Sequence, residues 1–220
     1  MHYNKTYLVD LMILLIVLFC SINCKSIKEN NTHIFYLHGK IVQEQGINAV
    51  SEKFGKYEYT RIIDSLRIIG GSEIHAEIRK SNTNFDEFCI HTSNQIDSLI
   101  RNGIPSENIT IVGASMGGVM AMKISSINKN PVNYIFLGSN NDSIEKDYDF
   151  NLHGRILGIY EKSDSICDKS YQYWINKSKE VIEFKQLKIE TELGHGFLYH
   201  PLKEWINPVK KMVKEKRRSK

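Results

Sequence analysis

Residues 109–118 read Ile-Thr-Ile-Val-Gly-Ala-Ser-Met-Gly-Gly, a short β-branched run that turns abruptly into a helix-compatible stretch. Ile109, Ile111 and Val112 suit a buried parallel strand. Gly113 and Gly117 remove the side chains that would collide in a sharp strand-to-helix turn, and Ser115 stands at its apex. A serine so placed is lifted out of the sheet, beside the amide of Met116 and a helix N-terminus, both of which favour negative charge. With glycine near ~7% of residues, a Gly-x-Ser-x-Gly match arises by chance in about one chain of this length in twenty. The string gains meaning only from its surroundings.

Those surroundings are ordinary globular sequence. The 220 residues are 41% hydrophobic and 25% charged, enough for a sizeable core in one domain. The net charge is +4, and much of it sits in Lys210, Lys211, Lys214, Lys216, Arg217, Arg218 and Lys220. Such a run reads as a solvated basic helix end, and residues 217–220 as a basic tail. No aromatic-basic interleaving accompanies it, so no nucleic-acid partner is expected.

Lys5 precedes an apolar stretch from Leu11 to Phe19, followed by Cys20, Ser21, Ile22, Asn23 and Cys24. The run is short for a membrane span and fits the core of an export signal over residues 1–24, with Asp10 an awkward residue at its edge. Cys24 resembles the lipid-accepting cysteine of bacterial lipoproteins, although Ser21-Ile22-Asn23 departs from the usual pattern before it. The expectation is an exported chain, periplasmic or tethered to a membrane surface through its N-terminus. Residues 25–32 then form a polar linker, and the folded domain spans 33–216. Cys89 and Cys167 are read as two separate buried thiols, with a disulfide as the alternative.

Within the domain, strand and helix patterns alternate. Strands are expected at His33–Leu37, Glu73–Ile78, Ile109–Val112, Val132–Leu137, Arg155–Tyr160 and Glu183–Ile189. Helices are expected at Tyr59–Ile69, Phe85–Ile100, Val119–Ile127, Lys169–Lys177 and Pro201–Lys216. This order predicts an α/β fold with a mostly parallel sheet covered on both faces. No insertion is long enough to build a large lid.

Functional residues of such sheets collect at the carboxyl ends of strands. Besides Ser115, those positions hold His38-Gly39-Lys40, Asp164 and His195, the last between Gly194 and Gly196. In this order the chain resembles the α/β-hydrolase family over residues 33–207, through His38-Gly39, Gly113-Ala114-Ser115-Met116-Gly117-Gly118, Asp164 and Gly194-His195-Gly196. The resemblance implies a three-layer α/β-hydrolase-like fold and a Ser115–Asp164–His195 triad acting on a small acyl substrate, an ester above all. It also implies an oxyanion pocket from the amides of Met116 and Lys40, in a segment that includes Gly39 and His38.

Rivals remain in view: Asp168 and Asp142 for the acid, His200 for the histidine, and peptidase, acyltransferase or pure binding roles for the scaffold. His38 itself reads as a structural loop residue. Lys40 and Glu44 are placed near the pocket mouth. The chain contains no phosphate loop and no zinc-type Cys/His spacing, so neither cofactor nor metal is expected from motifs.

Overall fold

A computed structural model describes residues 32–215. The export signal, most of the linker and the basic tail read from the sequence lie outside the described residues. Strand β1 (His33–Leu37) leads through α1 (Lys40–Gln45) to a short antiparallel pair, β2 (Val50–Ser51) and β3 (Gly55–Lys56). Next come α2 (Tyr59–Arg67), β4 (Glu73–His75), α3 (Phe85–Arg101), β5 (Ile109–Ala114) and α4 (Met116–Ile127). The chain continues as β6 (Asn133–Leu137), α5 (Asp142–Asp147), β7 (His153–Glu161), α6 (Gln172–Lys177), β8 (Glu180–Ile189) and α7 (Lys203–Lys214).

The main sheet has six strands in the order β4-β1-β5-β6-β7-β8. Every neighbouring pair in it is parallel. After β1 the chain steps to one side, to β4, and then crosses back to β5 on the other. The loops leaving β1 and β5 therefore diverge and open a crevice at their carboxyl ends, where α/β sheets place their sites.

Side-chain alternation along each strand feeds two cores. Ile34 and Tyr36 join α2 and α7 on one face, around Trp205 and Val209. Phe35 and Leu37 join α3, α4 and α6 on the other, around Met120 and Trp174. The central strands β1, β5 and β6 are buried along their whole length, as two covered faces require. Edge strand β8 is mostly half-buried or exposed.

Departures from the expected elements have local causes. The strand predicted over Glu73–Ile78 ends at His75. Beyond it, the His38 ring takes the Arg79 amide at 3.0 Å, and the Ala76 carbonyl accepts from the Tyr59 hydroxyl, so the chain leaves the sheet. Helix α4 begins at Met116 rather than Val119, because the turn itself supplies its first residues. The helix expected from Lys169 begins at Gln172, since Lys169 is drawn to Asp142 and Glu145 and the Tyr171 amide donates to Gln186.

Candidate active site

The turn at the end of β5 holds Ser115 at φ 53 and ψ −121. A non-glycine residue in that region costs on the order of 1–3 kcal/mol and persists only where its surroundings over-determine it. Here they do. The Ser115 amide donates to the Leu137 carbonyl at 2.9 Å, and the Ser115 carbonyl accepts from the Gly118 and Val119 amides. A methyl group on Gly113 would overlap the Gly117 carbonyl, and one on Gly117 would overlap the Leu37 carbonyl. Both positions must lack a side chain for the turn to close against β1.

Two further strand ends bring the partners. The carboxylate of Asp164, buried just past β7, accepts from His195 Nδ1–H at 2.7 Å through one oxygen. Its other oxygen accepts from the amides of Ile166 at 2.8 Å and Cys167 at 3.1 Å. An ionised carboxylate only accepts, so Nδ1 carries the proton and His195 Nε2 presents a lone pair. The Ser115 hydroxyl lies 2.9 Å from that nitrogen and donates to it. Burial pushes the Asp164 carboxyl up, but the His195 hydrogen bond and charge and the two amides outweigh it and hold the group below its ordinary value. Asp168 is exposed and Asp142 pairs with Lys169, while His200 faces Glu58 at 3.2 Å. None of these three rivals enters the serine–histidine–carboxylate chain.

A second carboxylate, absent from the sequence reading, locks the two partner loops together. Glu161 is buried at the last position of β7. It accepts from the Ser163 amide and hydroxyl at 2.6 and 2.7 Å, and from the Thr191 and Glu192 amides at 2.8 and 3.2 Å. Ser163 Oγ in turn accepts from the Gly194 amide at 3.2 Å. Burial raises the Glu161 carboxyl, yet these donors hold it below its usual range. The loop carrying Asp164 and the loop carrying His195 are thus tied to one buried anion.

The opposite wall follows β1. Gly39 caps α1 and lies against the turn, where an added methyl would stand 3.5 Å from Ser115 Cβ. Lys40 and Met116 are each the first residue of a helix, so their amides lack intrahelical acceptors. The His38 side chain takes no part in the pocket. Its Nδ1–H donates to the Gly39 carbonyl at 2.9 Å and its Nε2 accepts from the Arg79 amide, leaving the ring fully used as a structural brace. Burial and the nearby Arg79 lower it to about 4. The buried Arg79 guanidinium donates to the His38 carbonyl and to Gln43. Glu44 pairs with Lys40 at 3.5 Å on the exposed side of α1.

Beside Ser115 and His195 lies a cavity of about 210 Å³, bordered by Gly39, Lys40, Phe54, Tyr57, Ile166 and Tyr199, among others. The hairpin of β2 and β3 carries Phe54 to within 6.2 Å of the His195 ring, centroid to centroid. Phe54, Tyr57, Ile166 and Tyr199 were not anticipated, because no sequence pattern reports which loop residues converge. A larger hollow of about 450 Å³ lies between β8 and α7 and contains neither Ser115 nor His195.

No family model matches the sequence, and no curated protein matches it. Solved structures do. The Pyrococcus furiosus esterase Pf2001 is similar at 14% identity and a TM-score of 0.55, over 84% of this chain and 83% of that one. A lipase-esterase related protein from Clostridium acetobutylicum is 13% identical with a TM-score of 0.54, over 84% and 96%. A point variant of Arabidopsis thaliana SOBER1 is 13% identical with a TM-score of 0.53, over 83% and 98%. At such identities the likeness is one of architecture: this chain has the α/β-hydrolase fold.

Proposed function

We propose that the protein is a serine hydrolase cleaving a small carboxylic ester or related acyl bond. The observation that carries this reading is the continuous hydrogen-bond chain from Ser115 through His195 to Asp164. In the first half-reaction Ser115 Oγ attacks the acyl carbonyl carbon while His195 Nε2 takes its proton. The tetrahedral oxyanion would be met by the Met116 and Lys40 amides. Collapse expels the alcohol, which leaves with the proton from His195, and Ser115 keeps the acyl group. Water then attacks the acyl-enzyme, giving its proton to His195, and a second collapse restores the Ser115 hydroxyl and releases the acid. Throughout, Asp164 stays ionised, fixes the imidazole tautomer and stabilises its cation.

A cavity of about 210 Å³ supports a small acyl group, since sites for drug-sized ligands run to roughly 300–1,000 Å³. Phe54, Tyr57, Ile166 and Tyr199 give it an apolar wall. A fluorophosphonate probe should label the protein stoichiometrically at Ser115. The Ser115→Ala variant should keep its circular dichroism, lose all labelling, and lose at least ~10³-fold of its activity on short-chain nitrophenyl esters. Folded wild-type protein that takes up no probe, or labels equally after Ser115→Ala, would overturn the reading.

A further inference from the structure

Far from Ser115, where the first half of β1 runs beside β4, three metal-ligating side chains converge. His33 opens β1 and is the register partner of Glu73, which opens β4. His75 follows two positions later, and residues i and i+2 of a strand share a face. Sheet pairing therefore places His33, Glu73 and His75 on one face, on two hydrogen-bonded strands.

Their donor atoms meet. His33 Nδ1 and His75 Nε2 are 3.0 Å apart, and the Glu73 carboxylate spans the pair, with Oε2 3.7 Å from His33 Nδ1 and Oε1 3.8 Å from His75 Nε2. Ligands about 2.0–2.1 Å from a tetrahedral metal stand roughly 3.3 Å from one another, close to the 3.0 Å between the two imidazole nitrogens, and with one Glu73 oxygen the three donors all lie within 4.8 Å of one another. The ring of His75 is stacked on Phe35 at 4.4 Å and 14°, and on His33 at 5.3 Å, which fixes its orientation.

We propose that His33, Glu73 and His75 bind one divalent transition-metal ion of the zinc type, with water completing its coordination. Two imidazoles and one carboxylate suit Zn²⁺ or its d-block neighbours, and not Mg²⁺ or Ca²⁺, which take oxygen ligands. The ion would sit at the opposite end of the strands from Ser115. Its role is structural: it clips β4, an edge strand of three residues, to β1. Because the unfolded chain does not hold these donors together, binding raises the stability of the native state.

The test is a titration of chelator-treated full-length protein with Zn²⁺ by calorimetry, together with thermal unfolding and the visible absorption of the Co²⁺ form. One ion per chain, a raised melting temperature and a Co²⁺ spectrum of an N/O site are expected. Glu73 is largely exposed, so Glu73→Gln should leave the metal-free melting temperature unchanged while weakening binding by about tenfold or more, the loss that even an outer partner can cause. His75→Asn should weaken binding at least as much, while its lost stacking on Phe35 lowers the metal-free melting temperature as well. Absence of binding to the wild-type chain would overturn the proposal. So would an ion held equally well by both variants, since its ligands would then lie elsewhere.

Discussion

At the level of single residues, the site is governed by two buried carboxylates three positions apart. Asp164 faces His195 directly, and Glu161 gathers the amides and hydroxyl that set where the two loops stand. Each is held below its ordinary value, so the sign of its linkage to stability is fixed. Above the unfolded-state pKa, near ~4, the stabilisation is fully present. As the pH falls through the folded-state value the native state must take up protons it resists, and the stabilisation is lost. Denaturant titrations from pH 7 downward should show this as a decline in unfolding free energy starting near pH ~5. Asp164→Asn and Glu161→Gln should each flatten that decline while lowering stability at pH 7 by about 2–3 kcal/mol, the scale of hydrogen bonds to a buried charge. An unaltered pH profile in both variants would refute the account. Asp164 was legible because it follows a strand in the right order. Glu161 was not, since an acidic residue at a strand end looks like any solvated charge until three backbone amides are seen to converge on it.

Among the elements, the β5–α4 turn was the most legible and is the most constrained. Its glycines are required by carbonyl oxygens that arrive from the same turn and from β1, and a motif of that kind survives in sequence as a spacing. Gly117→Ala forces its methyl against the Leu37 carbonyl, a backbone atom that cannot swing aside. Overpacking of this kind costs typically 1–3 kcal/mol and more where nothing can yield, so a loss above ~3 kcal/mol in chemical denaturation is expected. The shift it imposes on Ser115 should also slow fluorophosphonate labelling by at least ~10-fold in the fraction that remains folded. Wild-type stability with wild-type labelling would show that the turn has slack. The β2–β3 hairpin was the least legible element. Two-residue strands carry too little periodicity to register, and Phe54 acquires its place over His195 only through tertiary packing. Edge strand β4 was over-extended for the converse reason: Ala76 and Ile78 continue the apolar alternation, while the hydrogen bonds that pull the chain away belong to Tyr59 and His38.

Over the whole molecule, one parallel sheet separates two cores and makes them interdependent. Each core has one tryptophan, Trp205 of α7 on one face and Trp174 of α6 on the other, and these are the chain's only two. Both indoles are almost wholly buried and hydrogen-bonded: Trp205 Nε1–H donates to the His200 carbonyl at 2.9 Å, and Trp174 Nε1–H to Asn140 Oδ1 at 2.8 Å. The strands between them alternate inward for one face and the other, so neither core can come apart without unpairing strands the other needs. Unfolding should therefore be a single transition. Trp174→Phe leaves fluorescence reporting on the α7 face alone, and Trp205→Phe leaves it reporting on the α6 face. Each replacement should cost about 1–3 kcal/mol, below the 3–5 kcal/mol of truncation to alanine, because an aromatic ring still fills most of the space. Within each variant, however, the fluorescence midpoint should coincide with that of far-ultraviolet circular dichroism. A fluorescence transition displaced from the dichroism transition in either variant would mean that one helical layer peels from the sheet first. The crevice between β1 and β5, which draws Gly39 from one crossover and Ser115 from the other, would then be built on a platform less rigid than the shared sheet implies.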